Sequence, residues 1–116
     1  MNKYRDKSDF EINKAVAVNI NGTDAVVEKF GRIYISDSDA MVSFDPCNNP
    51  YDAMPIIFDN NISLILSHNE YPLATNNPSG LFRDALPPEN VVTNKNPLRA
   101  AMELFLMMKD AENEKV

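Results

Sequence analysis

The 116-residue chain is 44% hydrophobic and 24% charged, with 17 acidic residues against 11 basic ones and a net charge of -6. That is room for one domain and enough apolar matter for one modest core, which excludes wholesale disorder. No apolar run reaches the roughly 18 residues of a membrane span, and the charge speaks against a surface that grips nucleic acid through its phosphates.

The basic side chains are scattered, and their only cluster, Lys3, Arg5 and Lys7, is interrupted by Asp6. Direct binding of DNA or RNA is not expected. The opposite possibility is an acidic mimic of nucleic acid, although -6 is also an ordinary solubilising charge. The start, Met1–Asp6, lacks the apolar stretch of a secretory signal, so a cytoplasmic setting is expected. Cys47 is the only cysteine and His68 the only histidine. No internal disulfide can form, which suits a reducing compartment. One Cys and one His cannot build the usual zinc site, and no metal or cofactor is expected. Cys47 reads either as a small buried hydrophobe or, with His68, as a nucleophile pair.

In chain order, Ser8-Asp9-Phe10-Glu11 is a capping box. Phe10, Ile12, Ala15 and Val16 follow at helical spacing, which predicts a helix over 9–19 ended by Asn19, Asn21 and Gly22. The runs 25–30 and 32–35 are β-branched and aromatic and predict two strands about Gly31. Residues 36–39 carry turn chemistry, and Met41–Phe44 can form a third strand. Asn49-Pro50 then opens a helix, with Asn as cap and Pro at the first position. Tyr51, Ala53, Met54, Ile57 and Phe58 give it an apolar stripe, and Pro55 keeps it short. A strand is predicted over 62–66, then a loop-rich stretch over 67–95 with short strands near 71–75 and 91–93.

Asn96-Pro97 repeats the cap-and-proline start. A helix over 97–112 follows, apolar at Leu98, Ala101, Met102, Leu104, Phe105, Met107 and Met108, with Arg99, Glu103 and Lys109 outside that face. Leu104–Met108 is apolar throughout, which leaves more face than one small sheet covers. Either a second copy covers the remainder, giving a twofold homodimer, or Leu81, Phe82 and Leu86 do. The sum is an α+β domain over 1–116, with an ordered core over 8–113 and short tails. Three helices pack on a small, mainly antiparallel sheet.

Three stretches, 8–17, 47–57 and 96–108, resemble the NinX-like family of small bacteriophage and prophage proteins. Their wording is Ser8-Asp-Phe-Glu-Ile-Asn-Lys-Ala-Val-Ala17, Cys47-Asn-Asn-Pro-Tyr-Asp-Ala-Met-Pro-Ile-Ile57 and Asn96-Pro-Leu-Arg-Ala-Ala-Met-Glu-Leu-Phe-Leu-Met-Met108. The family usually has a Trp where Met54 stands here. That departure bears on ligand binding if the ring stacks on a ligand, and on packing if it is core. The resemblance implies a phage accessory protein in the cytoplasm of an infected bacterium, and it carries no reaction with it.

Asn is over-used, at 15 of 116 residues. Most of these fit turns, but Asn48-Asn49 and Asn94–Asn96 stand at helix openings, where free backbone N–H groups can hold an anion. Asn48, Asn49, Tyr51, Asp52, Asn96 and Arg99 are therefore the candidate ligand-binding residues. The carboxamides would read a base edge, Tyr51 would stack on a ring, and Arg99 would pair with phosphate. The same residues also fit simple capping. No catalytic set stands out. The function expected is a non-enzymatic host-takeover or counter-defence factor that holds a host protein or a nucleotide-like ligand. An adaptor or mimic using the surface of the last helix is the alternative, and a small enzyme comes third.

Overall fold

In the computed structural model, which describes residues 2–66, 71–79 and 90–114, Ser8 opens the first helix as its capping box predicts. The Ser8 hydroxyl accepts the Glu11 N–H at 3.1 Å, and the Ser8 N–H donates to Glu11 Oε1 at 3.2 Å. Helix α1 covers Asp9–Asn21 and stops at Gly22, whose φ of 84° suits glycine and whose N–H reaches the Val18 carbonyl. A short 3-10 turn leads into the hairpin of β1 (Val26–Lys29) and β2 (Arg32–Asp37). Lys29 pairs with Arg32, so Phe30 and Gly31 alone make the turn, both at positive φ. Such two-residue turns match the twist of the strands they join. Strand β3 (Ala40–Ser43) pairs antiparallel with β2. Because β2 runs on to Asp37, the turn expected over four residues shrinks to Ser38 and Asp39.

Asn49 caps helix α2 (Pro50–Asp59), its Oδ1 accepting the Tyr51 N–H at 3.0 Å. Pro55 lies inside the helix and has no N–H for the carbonyl one turn back, which agrees with a helix of only ten residues. The apolar stripe read from the sequence divides in two. Ala53, Ile56 and Ile57 are buried, whereas Tyr51 and Phe58 face outward. Strands β4 (Ser63–Ile65), β5 (Leu73–Thr75) and β6 (Val91–Thr93) form a second antiparallel sheet in that order. The α+β class holds, with two three-stranded sheets where one small sheet was expected.

Helix α3 (Pro97–Glu114) lies among α1, α2, β5 and β6. Every residue from Arg99 to Leu106 is buried within this single chain. Of the face Leu104–Met108, Leu104, Phe105 and Leu106 are buried against the chain's own helices and the β4–β6 sheet, whereas Met107 and Met108 are half-buried. Leu81, Phe82 and Leu86 lie outside the described residues. The expected polar side of α3 is covered as well. Arg99 and Glu103 are 8% and 1% exposed, because residues 2–7, expected as a tail, lie against them. Tyr4 joins the core, and its hydroxyl donates to Asp110. Ile12, Val16, Cys47, Met102, Leu104 and Phe105 form the centre of that core.

Asn96 caps α3, accepting the Leu98 and Arg99 N–H groups at 3.0 and 3.3 Å. Replacing Asn49 by Ala costs about 1 kcal/mol. Asn96→Ala costs more, because the Asn96 amide also donates to the Cys47 carbonyl at 2.7 Å. Urea unfolding of the two variants checks both the cost and the order.

Candidate functional site

The three helices begin close together, and their first residues bond to one another. Asn96 Nδ2 donates to Asn48 Oδ1 at 3.3 Å. Asn48 Nδ2 donates in turn to Asp9 Oδ2 and Asp45 Oδ1, both at 3.2 Å. Asp45 Oδ1 also accepts from Asn13 Nδ2 at 2.7 Å, while Asn13 Oδ1 accepts the Cys47 N–H at 3.1 Å. Asp52 Oδ2 takes the Asp45 N–H at 2.9 Å, which folds the 45–52 loop back on the first turn of α2.

Arg99 is fully engaged within the chain. Its Nε donates to Glu103 Oε2 at 2.7 Å and its Nη1 to Asp9 Oδ1 at 2.6 Å. Nη2 donates to the carbonyls of Tyr4 at 3.1 Å and Lys7 at 2.6 Å. A guanidinium so occupied has no edge left for a phosphate, so the phosphate role expected for Arg99 fails on geometry. Burial alone would pull Arg99 down, but the hydrogen bonds to Asp9 and Glu103 outweigh it and hold the group above its ordinary value. Burial likewise pushes Asp9 up, and hydrogen bonds from Arg99 and Asn48 overcome that and hold its carboxyl below the ordinary 3.8. Folded Asp9 thus binds a proton less readily than unfolded Asp9. Its contribution to stability is present at neutral pH and lost as the pH falls through the lowered value.

Of the six candidate residues, Asn48, Asp52, Asn96 and Arg99 meet in this one network. Asn49 only caps its helix. Tyr51 is 90% exposed and joins Met54, Pro55 and Phe58 around an open apolar groove of about 580 Å³ on α2. Asp9, Asn13 and Asp45 belong to the network and were not singled out from the sequence. Asn13 had left a signal, since it is a polar residue directly after buried Ile12 in an otherwise apolar stripe. The chain folds Asn13 inward to tie α1 to the 45–47 loop. A second hollow, of about 350 Å³, opens between the start of α1 and strands β2 and β3.

Cys47 is fully buried, and burial, reinforced by the Asp9 carboxylate, pushes its thiol up. That is opposite to what a nucleophile needs. His68, its expected partner in a dyad, lies outside the described residues. Among the described residues, no group of three or more His, Cys, Asp or Glu is placed to hold a metal ion, and no helix is long and apolar enough to cross a membrane.

The profile of the family described as "Bacteriophage P22, NinX" matches residues 3–109. The chain belongs to that family. No curated protein and no solved structure matches it. The match takes in all three helix starts and both sheets, so the network of Asp9, Asn13, Asp45, Asn48, Asn96 and Arg99 lies wholly within the family's span.

Two outcomes test this account of the network. Arg99→Met leaves Glu103 as an uncompensated buried charge and destabilises the fold by about 3–5 kcal/mol, whereas pairing it with Glu103→Leu restores much of the loss. Urea unfolding of the single and double variants reads both. For Cys47, a thiol reagent at neutral pH labels the folded protein far more slowly than the urea-unfolded chain, followed by the absorbance of the released thiolate.

Proposed function

We propose that this NinX-family chain is a non-enzymatic phage accessory protein of the infected cytoplasm, a host-takeover or counter-defence factor that works by occupying a host protein. The observation that supports this reading is the outer face of α2. Tyr51, Met54, Pro55 and Phe58 recur at the three- and four-residue spacing that aligns side chains on one helix face. Tyr51 is 90% and Phe58 68% exposed. Burying a side chain such as Phe contributes roughly 1.5–3 kcal/mol, so a fold that has a core and still leaves two rings outside it forgoes that gain. Adjacent exposed aromatics on a rigid helix are the anchors from which protein interfaces draw most of their energy.

Met54 stands in the middle of this face, where a partly buried Met keeps the groove apolar. Occupancy also accords with a buried thiol that has its proton held on. An adaptor surface fits α2 better than the C-terminal helix, because α3 is buried from Arg99 to Leu106.

Photo-crosslinking amino acids placed at Tyr51 and at Phe58 in host cells test the reading, with Asp24 as an exposed control position. The expected result is one host protein captured at both α2 positions and absent at Asp24. Tyr51→Ala with Phe58→Ala then weakens binding of that purified protein by more than about tenfold and leaves the unfolding midpoint unchanged. Capture of only a second copy of the chain, or equal capture at Asp24, overturns it.

A further inference from the structure

The sheet of β1, β2 and β3 has two edges, and they are finished differently. On β1 the exposed residues are charged, Glu28 and Lys29. Strand β3, Ala40-Met-Val-Ser43, carries no charge and no proline, and all four residues pair in step with β2, without a bulge. All four are exposed, Val42 at 57%. Charge, proline or a bulge ordinarily guards an edge strand, because its unpaired N–H and C=O groups recruit another strand. Phe44 shows which groups of β3 are unpaired. Its N–H donates to the Ile33 carbonyl of β2 at 2.9 Å. Backbone groups alternate in direction along an antiparallel strand. Those of Ala40 and Val42 therefore also turn to β2, and those of Met41 and Ser43 point away from the sheet. The sheet is also polarised. Lys29 and Arg32 flank the turn at one end, and Asp37 and Asp39 stand at the turn at the other. Arg32 and Asp39 make no ion pair among the described residues.

We propose that β3 docks a second copy of this chain, the two β3 strands pairing antiparallel about a twofold axis at Val42 to join two sheets into one. The chemistry of the edge selects this occupant. An antiparallel twofold pair lays the basic end of one sheet beside the acidic end of the other, twice over. Arg32 then stands about 10 Å, two strand spacings, from Asp39 of the second copy, a span the arginine side chain crosses. Asp45 does not oppose Asp39, because its carboxylate is turned to Asn13 and Asn48. In this register Met41 and Ser43 of the second copy exchange the N–H and C=O groups that point outward. Small Ala40 meets large Phe44, and Val42 meets Val42, on the face that Ile33 and Ile35 share. Two four-residue strands bury less than the roughly 1,200 Å² of a standard complex, so the dimer is reversible rather than obligate.

Sedimentation equilibrium of the whole protein from roughly 10 μM to 1 mM tests the assignment. The mass is expected to rise from 13.0 kDa toward twice that value. Over the same range, hydrogen exchange should slow at the Met41 and Ser43 amides and stay unchanged at Val42. Val42→Lys, which sets two lysines face to face on the axis, should weaken association by at least about tenfold and leave the unfolding midpoint unchanged. Arg32→Glu should weaken it about threefold, and adding Asp39→Arg should restore it. The register has its own readout. Across the axis Val42 faces its copy in a non-hydrogen-bonded pair, at a Cα separation of about 4.5 Å that a disulfide spans. Val42→Cys should therefore cross-link on mild oxidation and Met41→Cys should not, while native Cys47 is buried and does not compete. A mass of one chain throughout, a dimer indifferent to Val42→Lys, or equal cross-linking at the two positions overturns the proposal. So does protection of Met41 and Ser43 only on adding host extract, which gives the edge to a host strand. Loss of association in the Tyr51→Ala, Phe58→Ala variant also overturns it, and moves self-association to α2.

Discussion

The fold depends on burying one cation. Arg99 sits in the first turn of the longest helix, nearly closed to solvent, and every edge of its guanidinium meets an acceptor. Removing a full charge from water costs several kcal/mol and is tolerated only when the partners are complete. Completeness here requires elements far apart in the chain: Glu103 one turn on, Asp9 at the opening of α1, and the carbonyls of Tyr4 and Lys7 before it. The N-terminal segment is therefore an acceptor strap. It folds onto α3 because the arginine needs its carbonyls, and Asn2 on Glu103 with Tyr4 on Asp110 hold it along the same helix.

From that anchor the polar layer extends outward through Asp9 to Asn48, and from Asn48 to Asp45, Asn13 and Asn96. Each carboxamide both donates and accepts, and the loop that carries Cys47 is fixed from both sides by Asn13 and Asn96. A dense polar web of this kind favours one arrangement, because any slip leaves a buried donor or acceptor unmatched. It also explains how a loop free of glycine keeps its shape beside a hollow.

The helix starts were legible in the sequence because capping is local. Ser8 with Glu11, Asn49 with Pro50 and Asn96 with Pro97 each declare themselves within four residues, and each caps as read. Strands β1 and β2 were legible for the same reason, through β-branched runs around Gly31. What failed was local inference about distant partners. Arg99 and Glu103 look like the outer face of an amphipathic helix, and nothing near them in sequence reveals that residues 2–7 cover them. Tyr51 and Phe58 look like core beside Ile57, because a helix apolar on all sides does not say which side is inward. Asn48 was found through its place at a helix opening. Its neighbours Asp9, Asn13 and Asp45 were missed because they come together only when α1 meets the 45–52 loop.

The central place of α3 has a consequence for how the chain is made. A ribosome releases α1, the first hairpin and α2 long before residues 97–106 exist, yet all three rest on that helix or on elements packed against it. Until α3 emerges, Ile12, Val16, Ile56 and Ile57 have no shared surface to close on, and the carbonyls of Tyr4 and Lys7 stay with water. Assembly therefore waits for the helix and then proceeds across the whole length of the chain at once. A product truncated ahead of Asn96 has strands and two capped helices but no interior. Synthesis of this protein is consequently all or none up to α3: a fragment that ends before that helix is clientele for the cell's proteases.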